Sequence, residues 1–130
     1  MATKMYGNAA KAFLNKEVDW DTDNIKVMLL TSGYTPNQDT HDYLDDVVAS
    51  EVSGTGYTAG GAVLAGKTVT YDAPTNTVKF DASDVTFSGS TITARYAVVY
   101  NDSPATNATK PLIAYYDFVT DRSSSNGDFV

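Results

Sequence analysis

The chain has 130 residues, sixteen acids against nine bases for a formal charge of −7, and no cysteine. That length holds one hydrophobic core, and the charge repels phosphate backbones and anionic lipid, so neither nucleic acid nor a membrane surface is an expected partner. Disulfide frameworks and thiolate metal sites are excluded, and a 42% hydrophobic share with 19% charged residues marks a chain that folds.

Residues 1–7 lack the apolar run of a signal peptide, and no segment approaches the ~20 apolar residues of a membrane span, so synthesis in a cytoplasm is the expectation. Over residues 3–16, Tyr6, Ala9, Ala10, Phe13 and Leu14 fall at helical spacing and predict a short amphipathic helix. Residues 18–24, rich in Asp and Asn, form a turn, and residues 25–31 read as a largely buried strand. A loop follows over 33–39. Residues 40–49 predict a second short helix, with Tyr43 and Val47, and Leu44 and Val48, one turn apart and Asp39 or Thr40 as N-cap.

Four of the nine glycines lie in 54–61, a loop or bent strand edge between the two halves of the chain. Beyond it the period becomes two. Residues 67–71 and 77–80 flank the turn Ala73-Pro74-Thr75-Asn76 and predict a β-hairpin. Further strands are expected over 84–87, 91–100 and 112–118, joined by Ser88-Gly89-Ser90 and a polar loop over 101–110. In the longest, Ile92, Ala94, Tyr96, Val98 and Tyr100 face the core, opposite a mixed face of Thr91, Thr93, Arg95, Ala97 and Val99. Asp128-Phe129-Val130 reads as the opening of a strand, cut short or pairing at an edge. With nine Tyr, five Phe and one Trp, the pattern predicts a single mainly β domain over 1–130. Its fold is an antiparallel β-sandwich or barrel with one or two short helices in its N-terminal third.

Several strings resemble functional motifs and fail on context. Gly61-Ala62-Val63-Leu64-Ala65-Gly66-Lys67-Thr68 fits the phosphate-loop pattern, but a glycine-rich loop precedes it and a strand follows where a helix must open. Gly54-x-Gly56-x-x-Ala59 is a loose dinucleotide fingerprint and fails in the same way. Asp19, Asp21 and Asp23 alternate as in a calcium loop, yet Asn24 stands where the loop needs Gly and Leu30 where it needs a bidentate acid. His41 is the only histidine, and nothing marks a nucleophile beside it. With fourteen Asp residues, a chance carboxylate pair carries no glycosidase signal. Tyr57, Tyr96, Tyr100, Tyr115 and Tyr116 could stack sugars, although tyrosines more often fill cores and interfaces. No enzymatic activity, catalytic residue, cofactor or metal ligand is expected.

Five strings together resemble a family of small structural proteins of tailed bacteriophages. They are Asp19-Trp20-Asp21-Thr22-Asp23 running into Ile25-Lys26-Val27-Met28-Leu29, residues 34–41, residues 51–61, Thr91-Ile92-Thr93-Ala94-Arg95-Tyr96-Ala97-Val98, and Ser123-Ser124-Ser125-Asn126-Gly127-Asp128-Phe129. The resemblance covers nearly the whole chain and implies a virion component. The expected role is capsid decoration, or cement, that stabilises the head by subunit contacts. The alternative is a tail or fibre module binding a host glycan or protein receptor through the loops 54–61 and 101–110. Expected partners are the major capsid protein or tail proteins of the same virion and further copies of the chain, a trimer by analogy with threefold decoration sites. Tyr6, Phe13, Tyr34, Tyr57, Arg95 and Val99 are the expected interface residues, because interface cores favour aromatics and Arg.

Overall fold

In the computed structural model, which describes residues 2–130, the two most apolar runs of the sequence lie side by side. Strand β2 (Ile25–Leu30) pairs antiparallel with β7 (Thr93–Asn101), setting Met28 opposite Val98 and Leu29 opposite Ala97. The remaining elements, numbered in chain order, are β1 (Ala2–Met5), helix α1 (Gly7–Leu14), β3 (Ala62–Val63), β4 (Thr68–Asp72), β5 (Thr77–Asp81), β6 (Phe87–Ser90), β8 (Leu112–Ser123) and β9 (Gly127–Phe129). A five-stranded antiparallel sheet has the order β1-β8-β7-β2-β3, while β4-β5 and β6-β9 each form a two-stranded sheet. The chain is mainly β with one α-helix near its N-terminus, and the large sheet keeps two edges rather than closing into a barrel. Among the described residues no helix is long and apolar enough to cross a membrane.

Both faces of the large sheet are covered, so its central strands are apolar on both sides. Met28, Val98 and Tyr115 form a row across three strands and pack under Tyr6, Ala9, Tyr34, Leu44 and Val47. On the opposite face Leu29 and Ala97 pack with Val52, Phe87 and Phe129, and Ile25 and Val99 with Ala12, Val18 and Trp20. The face expected to be mixed is therefore a second core. Ala94 and Ala97 share one cluster although they differ in parity, because a bulge between Ala94 and Tyr96 breaks the register with β8.

The helix expected over 3–16 is shorter than its periodicity suggests. Residues 2–5 form β1 against β8, and α1 buries Ala9 and Ala12 while Ala10 and Leu14 face solvent. Its start is fixed from outside: Gly7 N–H donates to the Gln38 carbonyl, and Gln38 Nε2 donates to the Met5 carbonyl at 2.7 Å. The second predicted helix is two 3-10 turns, Leu44–Asp46 and Val48–Ser50. Backbone groups that an α-helix would use are taken by a remote segment of the same chain, with Leu44 N–H donating to the Lys110 carbonyl and Leu112 N–H to that of Asp42. The strand expected over 84–87 moves to β6, where β9 supplies its partner, so Ser88-Gly89-Ser90 lies within a strand and not in a joint. β8 runs five residues past its predicted end at Phe118.

Candidate interaction surface

Alternation along β4 and β5 makes a two-faced hairpin. Val69 lies opposite Phe80 and Tyr71 opposite Val78, so these four share one face, while Thr68, Thr70, Asp72, Thr77, Lys79 and Asp81 share the other. Every residue of both strands is exposed. On the apolar face Val69 is 45%, Tyr71 63%, Val78 56% and Phe80 36% exposed. An amphipathic pattern normally turns its apolar side inward; here that side is largely bare.

The hairpin is held at its base. Phe80 stacks on Phe13, with centroids 5.3 Å apart and planes 20° apart, and lies against Trp20 at the same centroid distance. Trp20 Nε1 donates to the Thr68 carbonyl at 3.1 Å, and Lys67 Nζ to the Asp23 carbonyl at 2.5 Å. Asn76 closes the turn in the left-handed region at φ 54°, and its side-chain oxygen accepts from the Tyr71 hydroxyl at 2.9 Å. These contacts matter because a lone two-stranded hairpin is marginal in water. They leave Tyr71 and Val78 projecting beyond the body.

At the foot of the hairpin a groove of about 490 Å3 opens between residues 80–85 and the sheet. Its floor includes Val27, Leu29, Ala97 and Val99, and its far wall Tyr116, Phe118 and Phe129. Beside that wall β8 bulges over residues 118–121. Val119 sits there at φ 72°, an outlying backbone for a β-branched residue, with its side chain 54% exposed. Asp117 Oδ1 stabilises the bulge, accepting the Val119 N–H at 2.7 Å and Arg95 Nε at 3.1 Å. The Val119 hydrogen bond, followed by the Arg95 hydrogen bond and charge, holds the Asp117 carboxyl below its ordinary range.

The structure separates the expected interface residues. Tyr6, Tyr34 and Val99 are core residues, and Phe13 and Tyr57 are half-buried within the chain. Half-buried Arg95 pairs with Asp117 of its own chain and lies 5.2 Å from the centroid of the Tyr96 ring. Tyr6 and Tyr34 hydroxyls share a 2.7 Å hydrogen bond, and the Tyr34 hydroxyl lies 2.8 Å from His41 Nδ1, so the single histidine ends a buried tyrosine chain. Burial pushes the Tyr34 phenol up to about 12 and that of Tyr6 higher still. Tyr57 donates to Glu51 Oε2 at 2.7 Å and accepts the Leu29 N–H at 3.1 Å, which satisfies the edge of β2 beyond the short β3. Of the tyrosines weighed for sugar stacking, Tyr96, Tyr100 and Tyr115 are also buried.

The glycine-rich strings have a packing role. Gly61 has φ 85° with its Cα against the Val27 carbonyl, and Gly56 has φ 77° against Ser90, positions where a Cβ would collide with neighbouring atoms. Lys67 is tied to Asp23, and β4 follows it. In the Asp-rich turn, Asp19 accepts the N–H groups of Thr22 and Asp21, and Asp23 accepts those of Asp19 and the Asn101 side chain. Hydrogen bonds from Thr22 above all lower the Asp19 carboxyl. Asp42, Asp45 and Asp46 form a separate acidic group whose oxygens lie within 4.8 Å of one another. Desolvation and the neighbouring Asp46 raise the Asp42 carboxyl, while Asp46 already accepts the Asp42 N–H at 2.9 Å.

Compared with protein-family models, curated protein sequences and solved structures, the chain matches none. Sequence reasoning found the hairpin but not the exposure of its apolar face. The signal was present, since Val69, Tyr71, Val78 and Phe80 fall on one face, but nothing local to the hairpin told that no other segment would cover them.

Proposed function

We propose that the protein is a structural subunit of a tailed-phage virion, a decoration or cement protein that works by packing against neighbouring subunits. The observation that carries the assembly reading is the bare apolar face of the hairpin, Val69, Tyr71, Val78 and Phe80, held at its base and projecting from the body. Contiguous exposed apolar surface on a soluble protein marks a contact site. The virion assignment comes from the family resemblance of the strings at 19–29, 34–41, 51–61, 91–98 and 123–129. Under this reading the partners are the capsid shell and further copies of the chain, no chemistry is performed, and stabilisation comes from added buried interface. The same reading takes the fold as a distorted sandwich in which β6-β9 lies over the large sheet, supported by the packing of Phe87 and Phe129 with Leu29 and Ala97.

Locating the subunit on virions by cryo-electron microscopy tests the assignment. The expected result is density on the head, and heads stripped of the protein that fail at lower temperature than decorated ones. A subunit found on the tail, with head stability unchanged by its removal, overturns the decoration role.

A further inference from the structure

We propose that two copies of this chain exchange hairpins, each seating the apolar face of its β4-β5 arm in the groove at the foot of the other's arm. The inference deepens the reading of the hairpin as an assembly surface and rests on it. The arm offers Val69, Tyr71 and Val78, and the groove offers Val27, Leu29, Ala97, Val99, Phe118 and Phe129. The arm face is exposed, while the groove is rimmed by half-exposed Val27 and Phe118 over the buried Leu29, Ala97, Val99 and Phe129, with Asp81 and Asp84 on its near wall, and its volume of about 490 Å3 lies in the size range that takes large side chains.

Area decides how the arms are used. From their exposures, the four side chains of the arm face leave on the order of 400 Å2 uncovered, since one aromatic side chain carries roughly 150–250 Å2. Two arms packed face to face would bury about 800 Å2 in total, the size of a lattice contact, whereas stable interfaces bury about 1,600 Å2. The groove presents less surface than the arm, because most of its floor is buried. One such contact, as in a ring, buries on the order of 600 Å2, and only two reciprocal contacts, at about 1,200 Å2, reach the lower bound of a stable interface. A two-fold pair is thus the assembly that the surface can sustain. With −7 on each copy, the long-range charges repel and the apolar contact must outweigh them.

Because the chain has no cysteine, single Cys probes are clean. Val78→Cys protein mixed with Tyr116→Cys protein should form the mixed disulfide under mild oxidation. Val78→Cys joining chiefly to itself would mean arm-to-arm packing and overturn the proposal. Sedimentation of the unaltered chain should show a dimer whose association strengthens with added salt. A monomer at every concentration, a trimer, or weakening by salt would each overturn it. Tyr71→Glu combined with Val78→Glu should weaken dimerisation by about 30-fold or more while leaving the thermal unfolding of the monomer in place. An unchanged dimer refutes the arm's role. Electron microscopy of virions separates the two levels: a dimer absent from particles sinks the virion reading alone, and a monomer bound to heads sinks hairpin exchange alone.

Discussion

Val98 and Val78 are the same residue in the same kind of structure, an antiparallel strand with apolar neighbours, and they have opposite fates. Val98 is fully buried between Met28 and Tyr115, with a layer of side chains above it. Val78 lies opposite Tyr71 on the part of the hairpin face that stays exposed, beyond Phe80. Local sequence makes both strands, but only the first lies where two other segments of the chain converge. In the hairpin the same alternation leaves the apolar face largely exposed.

The comparison can be broken most severely at Gly61, where the loop leading to the hairpin touches β2. Gly61→Ala adds a Cβ against the Val27 carbonyl in a left-handed backbone, and should cost about 3 kcal/mol or more in urea unfolding. The matched pair sharpens it. Val98→Ala should lose about 2–3 kcal/mol, the transfer of a buried valine plus a cavity, whereas Val78→Ala should change monomer stability by less than about 0.5 kcal/mol. Similar losses at both sites would show that the hairpin is covered within the chain.

Between those extremes lie the polar devices of the body. Tyr34→Phe strands the Tyr6 hydroxyl and His41 Nδ1 and should cost about 1–2 kcal/mol by the same measurement. Asp102 accepts Lys110 Nζ at 2.7 Å and Lys26 Nζ at 2.9 Å. Burial by itself would raise its carboxyl, but the hydrogen bonds and charges of the two lysines hold it below the ordinary 3.8. An acid depressed in the folded state contributes stability that is fully present above 3.8 and lost as pH falls through the lower folded value. Asp102→Asn should therefore cost about 1–2 kcal/mol at neutral pH and flatten the stability profile below pH about 4. Thermal unfolding across an acid series reads both effects. A profile as steep as that of the unaltered chain would assign the acid limb to other carboxylates.

Much of the fold was legible because its causes are local. Alternation over 67–80 with a Pro-Thr-Asn turn, the apolar run expected at 25–31 and the strand expected at 91–100 each carry their own reason to be extended, and all three appear within a residue or two of their predicted bounds. The failures came where a distant segment competes for backbone or space. Residues 42–44 bond to 110–112 and cannot wind into an α-helix, and residues 2–5 become a strand because β8 offers them an edge. Arg95, one of only two arginines, stood out in the sequence, but its partner Asp117 lies twenty-two residues away across a bulge that no local pattern announces.

By itself, then, the sequence determined a mainly β chain and which residues share a face in the regular strands β2, β4 and β5, because periodicity and turn chemistry act between neighbours in sequence. In the strand expected at 91–100 the bulge set Ile92 and Ala94 in a cluster apart from Tyr96, Val98 and Tyr100. Burial was decided only by the tertiary structure. It depends on which remote segments meet: Tyr6, Tyr34 and Val99, chosen from the sequence as contact residues, fill the interior, while Tyr71 and Val78, whose pattern reads equally well as core, are left on the surface. A side chain is covered when long-range packing brings a second layer over it, and the energy of that layer belongs to the whole fold rather than to the strand that displays the residue.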